Sequence, residues 1–312
     1  MVAIFKSYKI GKNTVYQIKV NTLPNLVNNV YAIVEEEEIT LIDAGYGKRT
    51  AAFLNKAIKK ISLMHHKELK RIIITHSHID HFGAINRIKG NFTVYAHMPD
   101  SDVIKNFRNS FSGQENKLKR FLRDSRTPLL TSIMIRVMYK MHKAMFNGYD
   151  IKPIKEGKFR NLKIILTQGH SPGHICIGLG KAIFTGDHIL PTITPTQSPE
   201  YLTHGCGLEN YFKSLNKINK MNFKMAFPGH EEPFITIKER IKETIKHHEN
   251  KLENIRLNCS GKTLYQTAKS VFKKKMKGYH NFLGLMEAAA HLEYLEKKGK
   301  VVKKGYKYFS VQ

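Results

Sequence analysis

The chain has no tryptophan, only three cysteines and ten prolines, and just 25 acidic residues against 52 lysines and arginines. Cys176, Cys206 and Cys259 are far apart and odd in number, which argues against a disulfide framework and fits a reducing compartment, so the cytoplasm is the expected location. No stretch approaches the roughly 20 apolar residues that a membrane span needs. The start, Met1 to Ser7, runs into mixed polar sequence and lacks the apolar core of a signal peptide. Fixed-period repeats and low-complexity segments are also missing. The shortage of acid leaves a formal net charge of +27. Such a charge fits an anionic partner: nucleic acid, a membrane surface, or a phosphate-bearing substrate such as a coenzyme A ester. A lysine-biased composition explains it equally well.

What is there is an ordinary globular composition, 41% apolar over 312 residues. That length is enough for one large domain or two smaller ones. Residues 14–20 and 29–43 alternate apolar and polar and predict early strands, with an acidic hairpin tip from Glu35 to Glu38. Helical spacing follows over 50–61, then an apolar strand at Ile72 to Ile74, a helix from Phe82, and a short strand at Val94 to Ala96. Strands return at 162–166, 175–179, 182–184 and 225–227, with helices over 208–220 and from about 232 to 257. Strands alternating with helices predict an α/β layered architecture.

Two stretches break that pattern. Residues 100–150 read as a basic, Met-rich helical insertion, with Ile133, Val137, Met141 and Ala144 at helical spacing. The stripe predicts a face docked on the chain's own core, a lid accepting an apolar acyl group, or a membrane-surface helix. Residues 259–312 hold twelve lysines and three glutamates. Helices over 263–275 and 281–297 followed by a hairpin give a winged-helix pattern. Its aromatics, Tyr279, Tyr306, Tyr308 and Phe309, could stack on bases or fill a small core. The expected organisation is a catalytic domain over 1–258 and a winged-helix-like domain over 259–312.

The chemistry is concentrated in Thr75-His76-Ser77-His78-Ile79-Asp80-His81, directly after the Ile72 strand. An apolar strand ending in His-x-His-x-Asp-His presents its side chains where the backbone turns. Imidazole nitrogen and carboxylate oxygen suit zinc, and also iron or manganese. Further ligand-type residues recur at strand ends: Gly169-His170-Ser171-Pro172-Gly173-His174, Asp187 and His230.

This ordered set resembles the metallo-β-lactamase superfamily: Asp43, His76-x-His78-x-Asp80-His81, a distant histidine, Asp187 and His230. The resemblance covers roughly residues 14–250 and implies a four-layer αββα sandwich with two divalent metal ions at one edge. It implies that His76, His78 and His174 bind the first metal, that Asp80, His81 and His230 bind the second, and that Asp187 bridges them. Asp43 is expected to fix a ligand or a backbone turn from outside. His170 and His188 flank ligands without a slot in the pattern, and His204 is a candidate substrate contact. Asp80 together with Asp187 is similar to the glyoxalase II, lactonase and ribonuclease branches. The segment from Gly186 to Pro191 and the tail look like the lactamase-β-like hydrolases with a C-terminal winged helix.

A metal pair about 3.5–4 Å apart can hold a shared hydroxide, polarise a carbonyl or phosphoryl oxygen and stabilise the leaving group, with Asp80 orienting the hydroxide. The expected activity is hydrolysis of a small ester, thioester or lactone. The alternative is a metal-dependent endoribonuclease on single-stranded RNA, with the basic tail tracking phosphates. In the first case the tail shapes the substrate entrance or a homodimer contact. A non-enzymatic binding module is disfavoured by the complete ligand set, and flavo-di-iron electron transfer by the missing flavodoxin-like partner.

Overall fold

The computed structural model describes residues 5–23, 26–272, 276, 278 and 280–311. Tyr279 and the residues before Phe5 lie outside them. Seven strands form the first sheet in chain order: β1 (Lys6–Ile10), β2 (Asn13–Leu23), β3 (Leu26–Val34), β4 (Glu38–Ile42), β5 (Glu68–Ile73), β6 (Thr93–His97) and β7 (Lys152–Ile154). The first four are antiparallel neighbours, and β4 to β7 run parallel. The second sheet has β8 (Gly157–Phe159), β9 (Leu162–Leu166), β10 (Ile175–Leu179), β11 (Ala182–Gly186) and β12 (Met225–Pro228), with β12 joined in parallel to β11.

Alternation along the strands builds the layers. Val15, Tyr31, Ile33, Ile42 and Ile73 of the first sheet meet Ile164, Ile175, Ile177, Phe184 and Phe227 of the second in one buried layer. The other face of the first sheet packs Ile18, Val30 and Leu41 against Leu54, Ala57, Ile58 and Ile61 of α1 (Lys48–His65). The expected helix at Phe82 is shorter than read. It is one turn, α2 (Ile79–Phe82), followed by a 3-10 turn over Ile85–Arg87. A Cβ on Gly83 would stand 2.5 Å from the Tyr46 ring, so this segment is drawn tightly under the loop after β4.

The insertion is α3 (Asp100–Lys105), α4 (Phe107–Asp124) and α5 (Leu129–Ala144). Of the three readings of its stripe, the face docked on the core is the one that does not hold. Ile133, Val137 and Met141 are exposed, and Ile135 is the α5 residue that is buried. Beyond it, α6 (Leu208–Asn219) and α7 (Ile237–Asn258) cover the outer face of the second sheet, where Cys176, Ile183 and Ala226 meet Tyr211, Leu215 and Ile241. The two sheets between two helical layers form the expected αββα arrangement.

The tail contains β13 (Lys262–Thr263), α8 (Leu264–Phe272), α9 (His280–Lys297), β14 (Val301–Lys304) and β15 (Lys307–Ser310), with its strands ordered β13-β15-β14. Its core is not its own. Leu285, Ala288 and Leu292 of α9 pack in one cluster with Leu118, Phe121, Leu122 and Ile135 of the insertion and with Leu252 and Ile255 of α7.

Candidate metal centre

The site sits where β4, β5, β11 and β12 end. Thr75 and His76 follow β5, His81 is on α2, Asp187 follows β11, and His230 follows β12. Close backbone approach makes this possible. A Cβ on Gly229 would lie 2.6 Å from Asp187 Oδ1 and 2.7 Å from the His81 ring. Only glycine leaves room for both.

Two groups of donor atoms form here, each with its members within 4.8 Å of one another: His76, His78, His170 and Asp187, and then Asp80, His81 and His230; a third, His248, Glu287 and His291, lies away from them between α7 and α9. His76 Nε2 is 3.0 Å from His78 Nδ1. The Asp187 carboxylate faces both groups. Its Oδ2 is 4.0 Å from His76 Nε2, 3.8 Å from His170 Nε2 and 3.4 Å from His230 Nε2, and its Oδ1 is 3.4 Å from His81 Nε2. Asp80 Oδ2 is 3.5 Å from both His81 Nε2 and His230 Nε2.

The partners behind each ring set its tautomer. His81 Nδ1–H donates to Asp43 Oδ2 at 2.8 Å, His230 Nδ1–H to the Val27 carbonyl at 2.8 Å, and His170 Nδ1–H to the Thr196 carbonyl at 3.1 Å. The Thr75 hydroxyl donates to Asp43, so its oxygen is left to accept from His76 Nδ1 at 3.0 Å. Each of these four rings therefore turns its Nε2 inward. Asp43 holds its place as expected, gripping the Thr75 N–H at 2.8 Å with its other oxygen.

Here the structure departs from the expected ligand set. His174, just before β10, has both nitrogens occupied: Nδ1 lies 2.9 Å from the Thr167 hydroxyl, and Nε2 accepts the Asp187 N–H at 3.3 Å. His170, four residues earlier, is the one that joins His76, His78 and Asp187. His188 is buried against His174 and Tyr211, outside both groups. His204 is a surface residue, its side chain 98% exposed beside Glu200.

Two contributors had no signal in the sequence. Asp100 is fully buried and ties the two histidine loops together, accepting from Ser77 N–H at 2.8 Å, Gly173 N–H at 2.7 Å and the Ser171 hydroxyl at 2.6 Å. Asn28 donates to Asp80 Oδ2 at 2.9 Å and aims that carboxylate. Both are ordinary polar residues in their local sequence, and only the fold brings them to the site.

The electrostatics fit a cationic centre. Burial pushes His170 down to about 3 and holds His76 and His78 below the usual imidazole range, so these rings are neutral donors. Burial also opposes charge on His230 and His81, yet the Asp187 and Asp80 carboxylates raise His230 to about 10 and His81 well above its ordinary value. The carboxylates thus draw positive charge to this point. His170 Nε2 and Asp187 Oδ1 are buried without a hydrogen-bond partner. Neutral imidazoles, ionised carboxylates and orphaned electron pairs are a donor set suited to a divalent metal.

Residues 23–230 match the family described as Metallo-beta-lactamase superfamily. The chain belongs to that superfamily. It is a metallo-β-lactamase-fold hydrolase, and its relatives carry that activity in their names. It is 24% identical over 281 residues to the probable metallo-hydrolase YqjP of Bacillus subtilis, covering 85% of this chain and 86% of that one. It is 22% identical to an atrochrysone carboxyl ACP thioesterase of Aspergillus fumigatus, over 73% of this chain and 58% of the relative. Among solved structures, a metallo-beta-lactamase family protein of Thermus thermophilus shares the fold at a TM-score of 0.76 and 22% identity, covering 95% of this chain and 98% of that one. A beta-lactamase domain protein of Burkholderia ambifaria does so at 0.80 and 20%, covering 98% and 94%. Among the described residues no helix is long and apolar enough to cross a membrane.

Proposed function

We propose that this superfamily hydrolase is a dinuclear-metal enzyme acting on a small ester, thioester or lactone. The observation that carries it is the shared position of Asp187 between two donor groups whose rings are already set in ligating tautomers. His76, His78 and His170 hold one divalent ion, and Asp80, His81 and His230 the other, with zinc the expected metal and iron or manganese the alternatives. Bound there, the ions supply an activated water and polarise the scissile carbonyl. The chain's own residues do the rest. Asn28 and His230 fix the Asp80 carboxylate, which would accept a hydrogen bond from the water and orient it toward the carbonyl carbon. Asp43 holds His81, and Thr75 holds His76, so that neither ring turns during the reaction.

Two observations support a carbonyl substrate over RNA. Tyr308 is buried and the Arg126 guanidinium lies over one face of the Tyr306 ring, 3.7 Å from its centroid, so these two tail aromatics leave a base at most one ring face. The similarity to a named acyl-carrier thioesterase points the same way. In this reading residues 259–312 are a winged-helix-like unit packed on a catalytic unit of 1–258, the substrate is acyl-bearing or anionic, and the enzyme works in the cytoplasm.

The test is parallel hydrolysis of acyl-thioester, lactone and single-stranded RNA substrates by metal-loaded protein, with His76→Ala as control. Thioester or lactone turnover lost in the variant, with RNA intact, supports the proposal. Salt-sensitive RNA cleavage lost in the same variant would replace it with the endoribonuclease reading.

A further inference from the structure

We propose that the outward face of α5 docks the protein on an anionic lipid surface. Leu130, Ile133, Val137 and Met141 recur at helical spacing on that face, and Leu129 stands beside them. All five are solvent-exposed, from 45% for Ile133 to 82% for Leu130. Single exposed aliphatics are normal, but a continuous stripe of five on one helix marks an interaction surface. The helix does not need this face for folding, because Ile135 on its other side already anchors it in the core shared with α9.

The chemistry around the stripe selects the partner. Helix α5 contains no acidic residue and carries the exposed Lys140, with Arg136 and Lys143 half-buried. On the neighbouring α4, Arg120 and Arg123 are exposed and share Asp124 as an ion-pair partner, which leaves one net positive charge there. The stacking of Arg126 on Tyr306 sets the turn before α5 beside the β14–β15 turn, with its exposed Lys303, Lys304 and Lys307. An aliphatic strip rimmed by lysine and arginine matches a bilayer with anionic headgroups, the strip entering the acyl boundary and the rim meeting phosphate. A second copy of the chain fits poorly, since each carries +27. RNA fits poorly too, because bases seek aromatic faces and phosphates seek charge, and the stripe offers neither.

The experiment is co-sedimentation of the full chain with vesicles of phosphatidylcholine alone and of phosphatidylcholine with about a quarter phosphatidylglycerol, at low and high salt. The expected result is binding to the mixed vesicles only, weakened by salt. Val137→Asp/Met141→Asp, with circular dichroism and thermal midpoint unchanged, should lower the bound partition about tenfold or more. Arg120→Ser/Arg123→Ser should lower it several-fold and flatten its salt dependence. If the aspartate variant sediments like the parent, the attraction is charge alone and the proposal fails. It fails equally if the parent ignores both vesicles, or if that variant instead abolishes a concentration-dependent dimer or binding of a labelled oligoribonucleotide. None of these readouts depends on hydrolytic activity.

Discussion

His170 and His174 stand four positions apart, and the consequences of that spacing reach the donor groups. His174 spends both nitrogens inside the protein, on the Thr167 hydroxyl and the Asp187 N–H. His170 spends one on the Thr196 carbonyl and leaves the other toward Asp187 and His78. The two therefore have separable variants. His170→Ala should lower bound metal from about two equivalents towards one while leaving the circular dichroism spectrum intact. His174→Ala should keep both equivalents and lower the thermal midpoint, since it removes buried hydrogen bonds each worth about 1 kcal/mol. Elemental analysis of the dialysed variants checks both, and equal metal loss in the two would sink the assignment. The sequence made the loop legible as a ligand source but not which of its histidines points inward. That choice is made by the turn at Gly169 and by the start of β10, where the ladder fixes the phase of His174. By contrast, His76, His78, Asp80 and His81 were legible because they sit on one short segment whose strand end determines their direction.

At the scale of elements, pattern predicted existence better than it predicted facing. The strands that end in a donor-group residue or in Asp43 were visible as apolar runs with a polar terminus. The α5 stripe was visible too, yet it faces solvent because α5 is apolar on both sides and periodicity does not say which side the core takes. The link between β4 and β5 shows a further case. Arg71 on β5 looks like a surface charge in sequence, but it is buried, ion-paired with Glu35 and Glu38, and donates to the Thr40 hydroxyl at 3.2 Å. These are the strands whose ends deliver Asp43 and His76. Arg71→Ala leaves Glu35 buried without its cation, so unfolding free energy should drop by about 3–5 kcal/mol. Urea denaturation measures it directly, and a loss under about 1 kcal/mol would mean that water reaches the carboxylates.

Over the whole molecule, the tail and the insertion share one buried cluster with α6 and α7, and two consequences follow from that packing. The first is acid sensitivity. His248 of α7 and His291 of α9 lie 3.1 Å apart in the buried seam, and burial pushes them down to about 2 and about 3. Above the ordinary imidazole pKa both are neutral whether folded or not. Below it the unfolded chain binds protons that the folded chain refuses, so stability falls as pH falls, by about 1.4 kcal/mol per pH unit for each histidine. Urea unfolding from pH 7 to pH 5 should show the decline, and a His248→Gln variant should reduce its slope.

The second consequence concerns the site itself. Glu287 of α9 accepts the Gln197 N–H at 2.6 Å, and Glu293 accepts the Glu200 and Tyr201 N–H groups at 2.8 and 3.0 Å. That strap also contains Thr196, whose carbonyl sets the His170 ring. The tail thus reaches the metal-ligand group through a single chain of hydrogen bonds. A protein ending at Asn258 would lose these anchors and expose Leu118, Phe121, Leu122 and Ile135, which pack against α9. Its soluble yield should collapse, because exposed aliphatic surface of that extent drives aggregation. A milder variant, Glu287→Ala/Glu293→Ala, keeps the apolar core and removes the anchors, together with the Glu287–Lys251 ion pair at 2.6 Å. It should stay folded, bind the metal at His170 about 10–100-fold more weakly, as is usual when the groups behind a ligand are lost, and leave the other site near its original affinity. Chelator competition on that variant separates the two roles of the tail. If both metals are held as tightly as before, the strap is placed by its own packing, and α9 serves stability alone.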